Sequence, residues 1–397
     1  MSPDGFPVVG IVGAGQLARM TYQAAIALGV EVRVLAERPD ESAARVCPLV
    51  DIGSPNSRTD LEAFAARCDV VTLDHELVDD EALAAIETVG GVVRPGARAL
   101  RFAKDKLHQR TEFAKAGLPV PAFANVSAAP DIEVFAATHG WPVVAKAQRG
   151  GYDGRGVWVL DGPDAAANLV RDAGGRGTAL MVEAFVPIER ELAVLVARRP
   201  GGECVVYPVV ETVQRDGICH EVIAPADVPS TVAEAARAIG LRIAELTGVV
   251  GIFATELFLV DGELLINEIA TRPHNSGHFS MDACATSQFE NHLRAVLDWP
   301  LGPTDLLMPN VVMANLLGED HESLAPRIPS AVALPGGVHP HLYGKEVRPG
   351  RKVGHVNAWG VDARETRSRA IRAAALLTGR VAMASSPAAN LPVGRTS

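Results

Sequence analysis

Lys146-Ala147-Gln148-Arg149-Gly150-Gly151-Tyr152-Asp153-Gly154-Arg155-Gly156 follows the apolar run Val143-Val144-Ala145 and leads into Val157-Trp158-Val159-Leu160. The glycines permit a loop that folds over phosphates, and Lys146 ends an apolar strand, where a charged group needs a partner such as a triphosphate. The Walker spacing is absent, so a strand-to-helix phosphate loop is not the explanation. The alternative is a solvated hairpin tip. Tyr152, Asp153 and Arg155 form a mixed set better suited to holding a polar ligand than to turning a corner.

Upstream, the texture is different. Phe6 to Val12 reads as a strand, Gln16 to Leu28 as a helix and Val30 to Ala36 as a second buried strand, a β-α-β opening. Val70 to Leu73 and Val92-Val93 continue the alternation, predicting a small doubly wound α/β domain with a parallel sheet up to about residue 100. Lys104 to Gly117 reads as a helix stopped by glycine and the Pro119/Pro121 pair. Downstream, Leu180 to Glu183, Glu191 to Arg198 and Cys204 to Val210 suit an antiparallel sheet, followed by a helix from Val232 to Leu246. From about Pro326 a strand-rich stretch leads to a helix near Thr366 to Leu377, and Ser385 to Ser397 reads as a loose tail.

Gly13-Ala14-Gly15-Gln16-Leu17-Ala18 fits G-x-G-x-x-G/A between a strand and a helix, with Glu37 near the end of the second strand. A dinucleotide, another phosphate ligand and a purely structural turn all satisfy this pattern, because its physical content is close backbone approach and free helix N-terminal amides.

Two carboxylates lie on a predicted hairpin. Phe253 to Val260 and Glu263 to Ala270 are joined through Asp261-Gly262. A two-residue loop sets Glu256 opposite Asn267; a three-residue loop with a bulge at Gly262 sets it opposite Glu268. Either register gives an oxygen pair fit for magnesium, which takes one or two protein carboxylates plus phosphate oxygens; exposed strand-edge acids are the alternative. Arg272-Pro273-His274-Asn275-Ser276-Gly277-His278 follows at once, placing a cation, an imidazole and an amide beside the acids for polar contacts to an acyl substrate. Without a helix signal, the His-x-x-x-His spacing does not point to zinc. Cys219-His220 and His339-x-His341 receive no role. Lys345, Arg348, Arg351 and Lys352 form a cationic stretch in an acidic chain, either an anion site or a solvated turn.

The chain has 397 residues, enough for two to four domains, with 48% apolar and 21% charged residues, the balance of a folded soluble protein. A formal net charge of -10 without a basic block argues against a nucleic-acid partner. Cys47, Cys68, Cys204, Cys219 and Cys284 are scattered, which fits a reducing cytoplasm, and neither a signal peptide nor a membrane span is expected.

In order, Gly13-x-Gly15-Gln16-Leu17-x-Arg19-Met20, Gly150-Gly151-Tyr152-Asp153-Gly154-Arg155-Gly156, Asn267-Glu268, Arg272-x-His274-Asn275-Ser276-Gly277-His278 and Arg348-Pro349-Gly350-Arg351-Lys352-Val353-Gly354-His355 resemble the 5-(carboxyamino)imidazole ribonucleotide synthase family of ATP-grasp ligases. The resemblance spans nearly the whole chain. It implies an ATP-grasp fold combining α/β and α+β parts: an N-terminal doubly wound parallel-sheet domain (1–103), a central lid subdomain (104–186) and a C-terminal lobe with a small strand-rich end (187–397). ATP and two magnesium ions are the implied cofactors, and 5-aminoimidazole ribonucleotide and bicarbonate the implied substrates of a cytoplasmic homodimer.

By the same resemblance, Lys106 and Lys146 match cations on the nucleotide phosphates, with Gly151, Gly154 and Gly156 in the covering loop. Glu183, Ala184, Phe185 and Val186 match the strand on adenine and Glu191 the acid on the ribose. Glu256 and Glu268 match the magnesium ligands, with Asn267 beside them. Tyr152, Asp153, Arg155, His274, Lys345 and Arg351 match positions on the ribonucleotide or the bicarbonate-derived group, where Arg272 and Asn275 also belong. Gly15, Gln16, Leu17, Arg348 and Lys352 are the expected contacts of the substrate's 5-phosphate. Gln214 departs from the pattern, since some relatives carry histidine there. A formate-using ATP-grasp ligase, a dinucleotide-dependent oxidoreductase and a nucleotide sensor are the competing readings.

Overall fold

A computed structural model describes residues 5–151, 154–319 and 323–380. Strands β1 (Val8–Val12), β2 (Glu31–Ala36), β3 (Leu49–Ile52) and β4 (Val70–Leu73) form a parallel sheet of order β3-β2-β1-β4, as the β-α-β pattern predicts. Every residue of β1 is buried, so it reads as an apolar run and not as an alternation. The helix Gln16–Leu28 ends at Gly29, whose left-handed backbone (φ 69°) lets its amide reach the carbonyls of Ala25 and Ile26. The short Val92-Val93 strand is reduced to a parallel bridge between Val71 and Val93. Pro95, two residues on, has no N–H to continue the ladder.

The predicted helix Lys104 to Gly117 is present as Lys106–Lys115, and a second helix, Ala97–Lys104, precedes it. Asp105 separates them in an extended conformation, and its carboxylate caps the second by accepting from the His108 amide. Beyond them β5 (Phe123–Val126), β6 (Val143–Ala147), β7 (Val157–Leu160) and β8 (Leu180–Ala184) form an antiparallel sheet of order β5-β8-β6-β7. Helices Ala129–His139 and Pro163–Gly174 cover it, burying Ile132, Phe135, Ala166 and Leu169 in one cluster with Val143 and Val182.

The third sheet has nine strands, all antiparallel: β9 (Arg190–Arg198), β10 (Cys204–Val206), β11 (Val210–Arg215), β12 (Ile218–Ala224), β13 (Gly251–Val260), β14 (Glu263–Ala270), β15 (Asn310–Leu317), β16 (Val338–Leu342) and β17 (Lys352–Gly360). The run Cys204 to Val210, expected as one strand, splits around Pro208 into β10 and β11. The C-terminal strands are not a separate small sheet: β15 pairs with β12, so β15, β17 and β16 prolong the same surface. Helix Ser230–Thr247 packs on β9 through Gly240, where a Cβ would lie 3.1 Å from Val196 and 3.3 Å from Val194.

Helix Gln288–Val296 joins the large sheet to the N-terminal domain. Leu293 and Val296 share a cluster with Val9, Ile11 and Val34. The predicted tail Ser385 to Ser397 lies outside the described residues. Among the described residues no helix is long and apolar enough to cross a membrane.

Candidate active site

The last residues of β6 bring Lys146 inward. Its ammonium donates to Glu183 Oε2 on β8 at 2.8 Å and to Asn267 Oδ1 on β14 at 3.3 Å. Burial pushes this ammonium's pKa down, against the pull of Glu183. Burial works to raise the Glu183 carboxyl, yet Arg110 and Lys146 together hold it below the usual range. Lys106, at the start of its helix, forms an ion pair with Glu268. Two cations from different elements therefore meet the acid-bearing hairpin.

That hairpin resolves both registers offered by the sequence. Asp261 and Gly262 form a two-residue turn with both φ positive (50° and 80°), and Val260 pairs with Glu263. A bulge at Asn267 then shifts the ladder by one, so Glu256 faces Glu268. The turn is that of the first alternative and the acid pairing that of the second, because the extra residue lies in β14 and not in the turn.

The bulged Asn267 donates to Glu256 Oε2 at 3.1 Å, and His274 Nε2 lies 3.5 Å from Glu256 Oε1. Burial, then the charges of Glu268 and Glu191, push the Glu256 carboxyl above the usual carboxylate range. Burial also works to raise Glu268, but the contact with Lys106 holds it below the usual carboxylate range. Burial and Glu268 push Glu191, on β9, up to about 7. Three carboxylates crowd one cleft floor with a surplus of negative charge, which a divalent cation relieves. Among the described residues no three His, Cys, Asp or Glu side chains converge on a metal by themselves. Two partly exposed carboxylates suit magnesium shared with phosphate oxygens.

The glycine loop joins β6 to β7, closed by the pair Lys146 and Val157. Gly150, Gly154 and Gly156 have φ of 79°, 75° and 76°, backbone that other residues adopt only with strain. A Cβ on Gly154 would lie 3.4 Å from Gly217 in the β11-β12 turn, so the loop reaches over the large sheet. Arg149 ties its base to Asp105 at 3.1 Å. Arg155 is exposed, while Tyr152 and Asp153 lie outside the described residues. Phe185, just past β8, is 47% exposed, an apolar surface beside the buried Glu183.

Arg272 is held by Glu76 of the N-terminal domain at 2.7 Å. Gln288 accepts from the His274 amide, donates to the His274 carbonyl and meets His278 Nδ1, fixing the turn between the two histidines. Asn275 is turned to a reciprocal pair with Asn315, at 2.9 and 2.8 Å. Gln214 sits at a register shift of β11, opposite Cys219.

The remaining predicted residues frame a second space. A cavity of about 830 Å³ is lined by Gly15 and by the cations Arg38, Arg45, Lys345, Arg348 and Arg351, interspersed with Asp40, Glu41, Asp74 and Glu346. Arg45 donates to the Gly344 carbonyl at 2.7 Å and Ser42 to the Tyr343 carbonyl at 2.5 Å, binding the cationic turn to the N-terminal domain. Asp74, at the end of β4, accepts from the amides of Gly15 and Ala18 at 2.9 and 2.7 Å. Glycine is required at 15 because a Cβ there would lie 2.2 Å from Asp74 Oδ2. Leu17 turns its side chain into a cluster with Met20, Phe289 and Tyr343. Gln16 is half-buried at the helix start, and Lys352 begins β17; neither lines the cavity, nor does the exposed Glu37.

Sequence reasoning missed Arg38, Arg45, Asp74, Glu76, Arg110 and Gln288. Asp74 carried a usable signal, an acid directly after an apolar strand and level with the first glycine loop. The arginines carried none, being ordinary surface residues until the fold brings distant turns together.

A glycine loop over an antiparallel sheet, buried lysines facing an acidic hairpin on a second sheet, and a parallel-sheet domain closing one side define an ATP-grasp enzyme. The chain matches the ATP-grasp domain over residues 111–289, the ribonucleotide synthetase preATP-grasp domain over 7–104 and the phosphoribosylaminoimidazole carboxylase C-terminal domain over 311–369. It is 49% identical over 373 residues to the N5-carboxyaminoimidazole ribonucleotide synthase of Mycobacterium tuberculosis, covering 93% of this chain and 87% of that one. Among solved structures, the Thermus thermophilus N5-carboxyaminoimidazole ribonucleotide synthetase superposes with a TM-score of 0.84 at 36% identity, covering 96% of this chain and all of that one. The Aspergillus clavatus N5-carboxyaminoimidazole synthase, in complex with ADP and 5-aminoimidazole ribonucleotide, gives 0.85 at 28% identity, covering 95% of this chain and 99% of that one. The chain belongs to the N5-carboxyaminoimidazole ribonucleotide synthase family.

Proposed function

We propose that this protein carboxylates the exocyclic amine of 5-aminoimidazole ribonucleotide with ATP and bicarbonate, giving N5-carboxyaminoimidazole ribonucleotide, ADP and phosphate in purine synthesis. The observation that carries the reading is the pairing of two sites: lysines and acids beneath a glycine loop, and a separate polar cavity walled by Gly15, Lys345 and Arg351. A relative solved with ADP and this ribonucleotide supports assigning one ligand to each.

Bicarbonate is a weak nucleophile and hydroxide a poor leaving group, so the carboxyl carbon needs activation. A bicarbonate oxygen attacks the γ-phosphorus and the bond to the ADP oxygen breaks, forming carboxyphosphate. The amine nitrogen then attacks the carboxyl carbon, the bond to the phosphate oxygen breaks, and the nitrogen's proton passes to a base. Lys106 and Lys146 hold the polyphosphate, and Arg272, fixed by Glu76, faces the transferring group. His274, within reach of Glu256, and Asp153 are the candidate groups for the proton. Magnesium on Glu256 and Glu268, two ions by the family's pattern, neutralises phosphate charge when bound. The glycine loop excludes water from an activated carboxyl that hydrolysis would destroy.

The strand backbone of Glu183 to Val186 carries adenine, the Glu183 side chain being taken by Arg110 and Lys146, and Glu191 carries the ribose. Arg348 and Arg351 hold the 5-phosphate from within the cavity, and the helix-start amides of Gln16 and Leu17, with Lys352, support it from outside the cavity lining. We assign the protein to the cytoplasm as a homodimer, with subdomains meeting near 103/104 and 186/187. The test is bicarbonate labelled with oxygen-18. Carboxyphosphate chemistry delivers one labelled oxygen to each phosphate released; unlabelled phosphate would contradict it.

A further inference from the structure

Arg110 is not used by the chemistry above, yet it is one of the most enclosed charges in the molecule, 1% exposed. Its Nε donates to Glu183 Oε1 at 2.6 Å, Nη2 to the Asn267 carbonyl at 2.5 Å and Nη1 to Gln109 Oε1 at 2.8 Å. The other Glu183 oxygen takes Lys146 at 2.8 Å. One carboxylate thus faces two cations, leaving the trio with one net positive charge. Without Arg110, Lys146 and Glu183 would cancel, and a neutral buried pair presents little field to a polyanion. Arg110 thereby bridges two sheets, through Glu183 on β8 and the Asn267 carbonyl on β14.

We propose that Arg110 is a positioning residue for nucleotide binding: by taking one oxygen of Glu183, it leaves the charge of Lys146 free to act on the phosphates of a nucleoside triphosphate. This rests on the reading that Lys146 faces those phosphates.

The test compares Mg-ATP affinity by calorimetry, and KM for ATP, in the full-length enzyme and four variants: Arg110→Met, Arg110→Lys, Arg110→Met with Glu183→Gln, and Lys146→Met. Arg110→Met is expected to weaken nucleotide binding by about tenfold, as loss of one charge near a bound polyanion should. Arg110→Lys keeps the charge and should lose less. The double variant again leaves Lys146 as the one net charge, so its affinity should return to within about threefold of the parent. A merely structural arginine would give a double variant no better than Arg110→Met, which would overturn the proposal, as would wild-type affinity in Arg110→Met. If Arg110→Met does not fold, the double variant decides, because it also removes the carboxylate that Arg110 would leave half-satisfied, while Lys146 keeps Asn267 Oδ1 as a partner. Affinity near the parent's upholds the proposal and a loss of about tenfold overturns it. Lys146→Met separates the two levels: if it binds Mg-ATP like the parent, the nucleotide assignment itself fails.

Discussion

His292 fastens the N-terminal domain to the large lobe, and replacing it by glutamine should change how stability depends on pH. The ring is 1% exposed; its Nδ1 accepts from the Ile252 amide at 3.1 Å, so the neutral ring carries its proton on Nε2, which donates to Thr72 Oγ1 at 2.8 Å. A second proton would set N–H against N–H, and burial pushes the pKa down to about 3. An unfolded histidine titrates near 6.5. The folded pKa is the lower one, so this histidine's contribution is full above about pH 6.5 and is lost as pH falls toward 3. The slope is about 1.4 kcal/mol per pH unit, or about 3 kcal/mol between pH 6.5 and 4. Urea unfolding of the parent and His292→Gln across pH 8 to 4 reads it. The parent's advantage should shrink by that amount as the pH falls. His278 and His355, also held well below their ordinary range by burial, titrate in both proteins and cancel in the difference. A parent-variant difference independent of pH would refute the reasoning.

Gly15→Ala forces Asp74 away from two amides, and should cost about 3 kcal/mol in denaturant unfolding; an unshifted transition would remove Asp74 as the reason for glycine. Glu256→Gln and Glu268→Gln should each lower turnover at least a hundredfold, roughly, with a raised magnesium requirement, and turnover like the parent's would undermine the hairpin as the metal site. Arg351→Ala should raise KM for the ribonucleotide about tenfold and leave KM for ATP unchanged, since its cavity is separate from the lysine cluster. An unchanged KM for the ribonucleotide would place Arg351 outside substrate recognition.

Sequence patterns exposed what is local. The Asp261-Gly262 turn follows from residues that accept positive φ, and the strand-loop-strand reading of Val143 to Leu160 from apolar runs about glycine. The bulge at Asn267 is not local in this sense: which of two oxygen ligands faces Glu256 depends on where β14 accommodates an extra residue. Helix Gln288–Val296 escaped notice although Phe289, Leu293 and Val296 recur at helical spacing, because Gln288, Asn291 and His292, polar groups satisfied by distant partners, are interleaved on its buried face. Arg110 was hidden for a related reason. On a helix of low apolar content it reads as a solvent-facing charge, and only the approach of β8 and β14 encloses it. The single large sheet was equally out of reach, since it depends on β12 pairing with β15 across most of a lobe.

The most direct test of the proposed reaction is phosphate release from Mg-ATP by the purified protein, with 5-aminoimidazole ribonucleotide present or absent and bicarbonate varied. The account expects release that depends on the ribonucleotide, saturates with bicarbonate and matches carboxylated product one for one. Release that ignores the ribonucleotide, or none with all three substrates supplied, would contradict it.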